Sequence, residues 1–393
     1  MRAAAPHPQP ARRLPAVVWA LMCGNFVIGS GVMVVPGTLN EIGSSLQVPV
    51  GTAGQLTSAG ALTVCLGAPL CAGLVAGWDR RRVLAWSMLW FAVLHLACAA
   101  MPDFAALLGT RVLAIVSAAV FTPQAAACIG LLVPPEQRGR AITFIFTGWS
   151  IASVLGMPLA ALIGGTLGWR AAFVFVALAG LASAAWVWRA MPDGVRPPAL
   201  SLAGWRDTFR SRPLMLCLAV TLLYSAGQFV LFAYFAPYFR LRFGATPLQL
   251  SLLFAWFGVF GFFGNLAMAR RIDRIGAPRA VLVAVASMAL GLLAWPLGTS
   301  LWLAALVMIP WALGCFSSNS AQQARLVGIA PALASGSIAL NTSAMYAGQA
   351  IGAAGGGWLI HRHGMDVLHW AGAAGLVLAL VASRLAEPVR SKR

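Results

Sequence analysis

The sequence predicts an all-α membrane protein of twelve transmembrane helices, arranged as two similar six-helix halves. Three observations predict it. The chain has 393 residues, 60% hydrophobic and only 9% charged, whereas soluble chains carry about 25% charged residues. It lacks the polar surface to cover soluble domains, and disorder needs the opposite balance. Apolar runs of the ~20 residues that cross a bilayer recur twelve times between clusters of charge, Pro and Gly. Finally, the basic residues alternate from loop to loop. With the N-terminus inside, 22 of the 27 Lys and Arg residues fall on that side, and only Arg170, Arg240, Arg242 and Arg362 fall outside. This is the asymmetry that orients membrane proteins, and it places both termini in the cytoplasm. The net charge of +18 is therefore an orientation code. Nucleic-acid binding is excluded, because no basic, aromatic-interleaved soluble segment exists to hold it.

The spans follow in order. Span one, 15–38, starts after Arg2, Arg12 and Arg13 and carries Asn25 in a Gly-rich stretch from Gly24 to Gly31. It is too long for a cleavable signal peptide and is expected to stay as a span. Span two, 54–77, holds Gln55 and ends at Asp79-Arg80-Arg81-Arg82. Spans three and four, 83–101 and 104–132, carry His95 and Arg111 at similar distances from the turn at 102–103. Antiparallel neighbours would bring that pair to one depth. Span four adds Gln124.

Span five, 141–165, follows Arg138 and Arg140 and contains Gly148, Gly156, Pro158, Gly164 and Gly165. Pro158 removes a helix hydrogen bond and can kink the span. Span six covers 171–190. A Pro- and Arg-rich segment, 191–213, then divides the chain into an N-terminal half, 1–190, and a C-terminal half, 214–393.

Span seven, 214–238, is aromatic, with Tyr224, Gln228, Phe232, Tyr234, Phe235 and Tyr238. Span eight, 248–269, holds Trp256 and Asn265 and ends at Arg270, Arg271, Asp273 and Arg274. Span nine is 279–297. Span ten, 301–325, carries Trp311, Asn319, Gln322 and Gln323. Span eleven, 335–360, carries Asn341, Gln349 and Gly352 among further glycines, and span twelve is 367–385. The halves repeat: Pro134 matches Pro331, Gly156 matches Gly352 and Asp79 matches Asp273, each pair about half the chain length apart.

Polar groups in hydrocarbon are costly unless paired or wet. Asn and Gln occur in spans one, two, four, seven, eight, ten and eleven; the Gly-rich span five has none, and neither do spans three, six, nine and twelve. The latter four are expected to face lipid, and the others to surround a cavity. The substrate-binding candidates are Asn25, Arg111, Gln124, Tyr224, Gln228, Tyr234, Trp311, Asn319, Asn341 and Gln349. Each has a plainer alternative. The amides can be interhelical hydrogen-bond glue, the aromatics core packing, Arg111 a tie to backbone carbonyls, and His95 a neutral packed side chain. The glycines permit close helix contact, and a rocking interface between halves needs such contact. The nine acids all lie at span ends or in loops. That leaves Glu41, at the outer end of span one, as the leading proton-coupling carboxylate, with His95 as the second candidate. It also argues against a cation-selecting cavity. The seven cysteines lie in apolar runs without CxxC spacing, so neither disulfides nor metal ligands are expected. No acid pair, Ser-His-Asp set, metal cluster or phosphate-cradling Gly loop suggests an enzyme, and no cofactor is expected.

These residues resemble the major facilitator superfamily over essentially the whole chain. Asp79-Arg80-Arg81-Arg82 resembles its inside-loop motif, with Arg82 where Gly is usual. Asp273-Arg274-Ile275-Gly276-Ala277-Pro278-Arg279 is closer to the common pattern, and the leading small residue is altered to Val75 and Ala269 in the two copies. Arg111 resembles the embedded Arg of the antiporter motif. Gly148, Gly156, Pro158, Gly164 and Gly165 resemble the Gly/Pro motif of drug and sugar exporters. The chain looks like the twelve-span, arabinose-efflux-like permeases among the drug–proton antiporters. The resemblance implies that spans one, four, seven and ten line the path. It implies that Asp79, Arg80, Asp273 and Arg274 latch the halves, and that Gly156, Pro158 and Gly352 pack helices. It also implies a multi-pass transporter of the bacterial inner membrane that exports drugs, sugars or small metabolites, with proton antiport as one form of coupling. Its expected partners are a small-molecule substrate, protons where transport is coupled, and the lipid bilayer, with the chain acting as a monomer. The absence of a span carboxylate keeps an uncoupled sugar or metabolite permease open, and a non-transporting membrane sensor is the alternative from another class.

Overall fold

The computed structural model describes residues 15–75, 77–196 and 202–386, and among them the regular structure is helical. The first half comprises α1 (Ala16–Ser45), α2 (Val50–Ala53), α3 (Gln55–Leu74), α4 (Arg80–Ala100), α5 (Phe104–Leu132), α6 (Pro135–Ile151), α7 (Met157–Leu167) and α8 (Trp169–Ala190). A short α9 (Leu202–Arg210) precedes α10 (Arg212–Phe232), α11 (Phe235–Phe243), α12 (Pro247–Ile275) and α13 (Ala277–Leu293). The chain continues through α14 (Leu301–Val307), α15 (Ile309–Ile329), α16 (Ala334–His363) and α17 (Leu368–Leu385). The pairs α2–α3, α6–α7, α10–α11 and α14–α15 each continue as one rod across a break. With α9 set aside, the described elements thus form twelve rods. Nine of these rods, among the described residues, are long and apolar enough to cross a membrane.

Local chemistry sets the ends. Asp79 caps α4 by accepting from the Arg81 amide at 2.9 Å, and Asp103 caps α5 by accepting from Ala106 at 2.9 Å. Thr246 and Gln249 cap α12 reciprocally, with Pro247 at its first position. Gly244 closes α11 at φ 61°, a left-handed conformation that glycine adopts without the Cβ clash. A π turn at Ala152–Gly156 separates α6 from α7, immediately before Pro158. Proline lacks an N–H and its ring crowds the carbonyl four residues back, so the wider turn accommodates it.

Several helices run past the expected span ends. α1 reaches Ser45, α11 reaches Phe243, α12 reaches Ile275 and α15 reaches Ile329. Loss of apolarity marks the bilayer surface, whereas backbone hydrogen bonding continues until a breaker such as Gly244 or Gly276. α9 lies inside the segment 191–213 that the sequence reads as a linker. The expected charges at Arg2, Arg12, Arg13, Glu387, Arg390, Lys392 and Arg393 lie outside the described residues.

Helices α1 and α3–α8 pack on one another, as do α10–α17. The two groups are pseudo-symmetric down to single bonds. In the first, Asn25 Nδ2 donates to the Ile145 carbonyl at 3.1 Å; in the second, Thr221 Oγ1 donates to Asn341 Oδ1 at 2.6 Å. Both bonds join residues 120 apart in sequence, and both members shift by the offset that relates Gly156 to Gly352. Those glycines repeat the pattern: Gly156 packs on Ser30 of α1, and Gly352 on Ala226 of α10. The expectation that they lie between the halves is corrected. They seat helices within each half, where a side chain would overlap the neighbouring helix.

Candidate transport site

The bundle has a basic end, where Arg80–Arg82, Arg206, Arg210 and the last turn of α12 lie, and a far end with Glu41 and Arg240. The halves meet at the far end. Arg240 Nη1 on α11 pairs with Glu41 Oε1 on α1 at 2.6 Å, and the Glu41 side chain is only 16% exposed. Gly51 on α2 approaches Gly357 on α16 so closely that a Cβ would sit 2.8 Å from the Gly357 carbonyl. The Tyr234 ring fills the space beside Gly54 and Gly357, and its hydroxyl donates to the Ala353 carbonyl at 2.7 Å. Deeper in, a Cβ on Gly258 of α12 would lie 2.7 Å from the Ser153 carbonyl in the π turn. From Pro247, where α12 starts, that is about 16 Å along the axis at ~1.5 Å per residue. Beyond it, toward the basic end, Phe263 on α12 and Leu66, Leu70 and Leu74 on α3 are exposed, and Gly73 has no neighbour within 4 Å.

The centre of the first half is cationic and buried. Arg111 is 2% exposed. Its Nη2 donates to the Gly31 carbonyl at 2.6 Å and more weakly to that of Val32 at 3.4 Å. Its Nη1 lies 2.9 Å from His95 Nε2. A guanidinium only donates, so Nε2 accepts; His95 Nδ1 then donates to the Phe91 carbonyl at 2.7 Å. The imidazole is the neutral Nδ1–H tautomer. The guanidinium carbon also sits 5.8 Å over the Phe173 ring. One side chain therefore ties α5 to α1, α4 and α8. The depth match expected for His95 and Arg111 is present as a direct bond. Asn25 is likewise engaged, donating to α6 and accepting from Thr122 Oγ1 at 2.8 Å. Gln124 is buried on α5.

The second half holds a polar chain. Thr221 on α10 donates to Asn341 Oδ1, and Asn341 Nδ2 on α16 donates to Asn319 Oδ1 on α15 at 2.9 Å. Asn341 is fully buried, whereas Asn319 is partly exposed, so the chain of amides leads from the core to an accessible face. Tyr224 lies beside Thr221 and Ser318. Gln228 Oε1 and Trp311 Nε1 are buried without a hydrogen-bond partner among the described residues. Gln349 is partly exposed on α16.

The aromatic side chains of span seven pack inward. Phe232, Phe235, Phe257 and Trp311 form one cluster, with Trp311 5.0 Å from Phe257 and 5.7 Å from Trp295. Tyr224, Tyr234 and Trp311 are at most 1% exposed. The sequence left core packing and a substrate-facing wall open for these rings; here they are core. Trp256, by contrast, is exposed, and its indole donates to the Ala305 carbonyl at 2.8 Å.

The residues matching the latch motif act locally in this arrangement. Asp79 caps α4 and accepts from the Gly194 amide after α8. Arg80 is buried and donates to the Val75 and Trp78 carbonyls. Asp273 and Arg274 are exposed on α12. Three features had no sequence signal: the Glu41–Arg240 pair, the carbonyl partners of Arg111, and the glycines Gly51, Gly54 and Gly258 between halves. Glu41 stands out in the sequence, but its partner lies 199 residues away.

The chain matches the family model described as Major Facilitator Superfamily, over residues 21–339 and 229–393. It is 34% identical over 288 residues to the "Chloramphenicol resistance protein" of Streptomyces lividans, covering 72% of each chain. It is 29% identical over 375 residues to the "Inner membrane transport protein YdhP" of Escherichia coli (strain K12), covering 92% of this chain and 94% of that one. Among solved structures, a D-xylose-proton symporter aligns with a TM-score of 0.77 at 17% identity, over 96% of this chain and 99% of that one.

Proposed function

Since this chain belongs to the major facilitator superfamily and is a membrane transporter rather than an enzyme, we propose that it exports small, uncharged aromatic molecules of the phenicol type by alternating access. The observation that carries the reading is the Thr221–Asn341–Asn319 chain, an uncharged polar relay whose buried members orient Asn319, the partly exposed amide at its end. The acids lie outside the spans' apolar stretches, so no carboxylate is held there to attract a cation. The buried Arg111 is already bonded to backbone and His95, which leaves it poorly placed to demand an anion. Uncharged substrates with hydroxyl and amide groups fit what remains. The identity to a protein named for chloramphenicol resistance supports the phenicol class.

In this reading the basic end is cytoplasmic, because the loop charges favour it. The far end, closed by Glu41–Arg240, is then the outer gate, and the structure is the inward-facing member of the cycle. The halves are 1–190 and 214–393, joined by 191–213, and one chain in the bilayer suffices, since both halves and their contact come from it. Asn319, Gln349, Gln124 and Gln228 are the first substrate contacts to test. Asn25, Arg111, Tyr224, Tyr234, Trp311 and Asn341 would support them from behind. Asp79, Arg80, Asp273 and Arg274 would engage across the halves when the basic end closes.

The test is flux of a radiolabelled phenicol in proteoliposomes, with and without an imposed pH gradient. The expected result is saturable flux, accelerated when protons can run opposite to substrate. Flux indifferent to the gradient would favour an uncoupled permease. Absence of flux for phenicols, sugars and other neutral metabolites would contradict transport and favour a sensor.

A further inference from the structure

We propose that a cavity beside the α3–α4 turn binds the headgroup of an anionic phospholipid. The cavity holds about 670 Å³ at the basic end, and Trp78, Asp79, Arg82, Trp86, Asp193 and Arg196 line it. Its two carboxylates are already committed. Asp79 accepts from the Arg81 and Gly194 amides. Asp193 pairs with Arg81 at 2.7 Å, and Arg81 also donates to the Trp188 carbonyl at 2.8 Å and stacks on the Trp188 ring at 4.7 Å. The guanidinium groups of Arg82 and Arg196 are exposed and have no hydrogen bond or ion pair among the described residues. With Arg81 counted beside its partner Asp193, three arginines face two carboxylates, so the net charge around the cavity is positive, and its exposed guanidinium groups are those of Arg82 and Arg196.

The remaining wall identifies the class of anion. Trp78 and Trp86 are 63% and 62% exposed, and indole rings favour the headgroup level of a bilayer. Val75, Val83 and Val120 extend the lining as an apolar surface. Trp86 and Trp90 share a face of α4 at i, i+4, and Trp90 donates to the Leu113 carbonyl of α5 at 2.9 Å, so this is an outward, apolar flank of the bundle. Free phosphate would use the arginines alone. A lipid uses all three parts, with its phosphate at Arg82 and Arg196, its interfacial region beside the indoles and an acyl chain along the valines. Basic pockets between spans on the cytoplasmic side take anionic lipids in this way. Arg82 sits on α4 and Arg196 at the start of the segment that joins the halves, so the lipid would fasten that segment to the first half.

The proposal rests on the chain being membrane-embedded and not on any substrate, so its test needs no transport assay. The purified full chain is placed in nanodiscs of mixed phosphatidylglycerol and phosphatidylcholine, and retained lipids are counted by native mass spectrometry. Wild type is expected to retain phosphatidylglycerol preferentially, and excess inorganic phosphate is expected not to displace it. Arg82→Gln and Arg196→Gln should each weaken the preference about five-fold, which corresponds to ~1 kcal/mol per basic residue near an anionic surface. Arg82→Lys with Arg196→Lys should keep most of it. No preference in wild type, an unchanged preference in the double Gln variant, or displacement by inorganic phosphate would each overturn the proposal. The wild-type comparison stands whether or not the variants fold.

Discussion

Arg111→Leu is expected to lose most transport and to melt at lower temperature than wild type. The guanidinium is the shared partner of His95 on α4 and of the Gly31 and Val32 carbonyls on α1. Leucine would strand His95 Nε2 and the Val32 carbonyl, whose helical donor would be Pro36, a residue without an N–H. Each hydrogen bond to a charged group is worth about 1.5–3 kcal/mol, and a stranded buried partner adds its desolvation cost. Arg111→Lys separates charge from geometry. Lysine keeps the cation but not the planar fork that reaches two helices at once. A structural tie therefore predicts little recovery of melting temperature with lysine. Melting temperature in detergent and flux in proteoliposomes, measured on the same preparations, decide it. Normal melting of Arg111→Leu with abolished flux would return the residue to a direct role in substrate binding.

Leucine at Gly352 and leucine at Gly258 are expected to fail in different ways. Gly352 faces the Ala226 carbonyl of α10 within the second half, so a side chain there must push two buried backbones apart. Overpacking of this kind costs about 1–3 kcal/mol or more, and the variant should be unstable and inactive. Gly156, its counterpart against Ser30, should behave alike. Gly258 faces the Ser153 carbonyl across the interface between halves. Each half can fold around leucine at 258, but the closed far end cannot re-form without shifting. A bias of ~1.4 kcal/mol against that state would already change its population about tenfold. The expected signature is near-normal melting, transport reduced about tenfold or more, and faster labelling of a far-end cysteine by an impermeant thiol reagent. Equal destabilisation by both substitutions would contradict the division into intra-half and inter-half glycines.

Much of this was legible in the sequence because the bilayer imposes it. Span lengths, loop charges and the half-length offset predicted the rods and their pseudo-symmetry, and the offset reappears in the Asn25–Ile145 and Thr221–Asn341 bonds. The closeness of His95 to Arg111 followed from equal distances to one turn. The rest was illegible for identifiable reasons. The Gly31 carbonyl carries no residue signature, so it could not be named as a partner of Arg111; the only hint was Pro36, which has no N–H and leaves the Val32 carbonyl free of its helical donor. An aromatic run reads alike whether it faces a cavity or a core, and the burial of the ring cluster around Trp311 is visible only in three dimensions. A glycine in an apolar helix announces a close neighbour without saying which helix supplies it. Apolarity also ends before helices do, which put Glu41 beyond its expected span although it lies within α1 and meets Arg240.

The central claim is that the far end must open for substrate to leave. Glu41 and Arg240 mark the place to test it, since their side chains meet across the halves at 2.6 Å. With the seven native cysteines replaced, Glu41→Cys and Arg240→Cys would be joined by a short bifunctional thiol crosslinker carrying a reducible disulfide. Phenicol flux in proteoliposomes would be measured before crosslinking, after it, and after reduction. The account predicts flux that stops on crosslinking and returns on reduction. Undiminished flux through the crosslinked protein would contradict it.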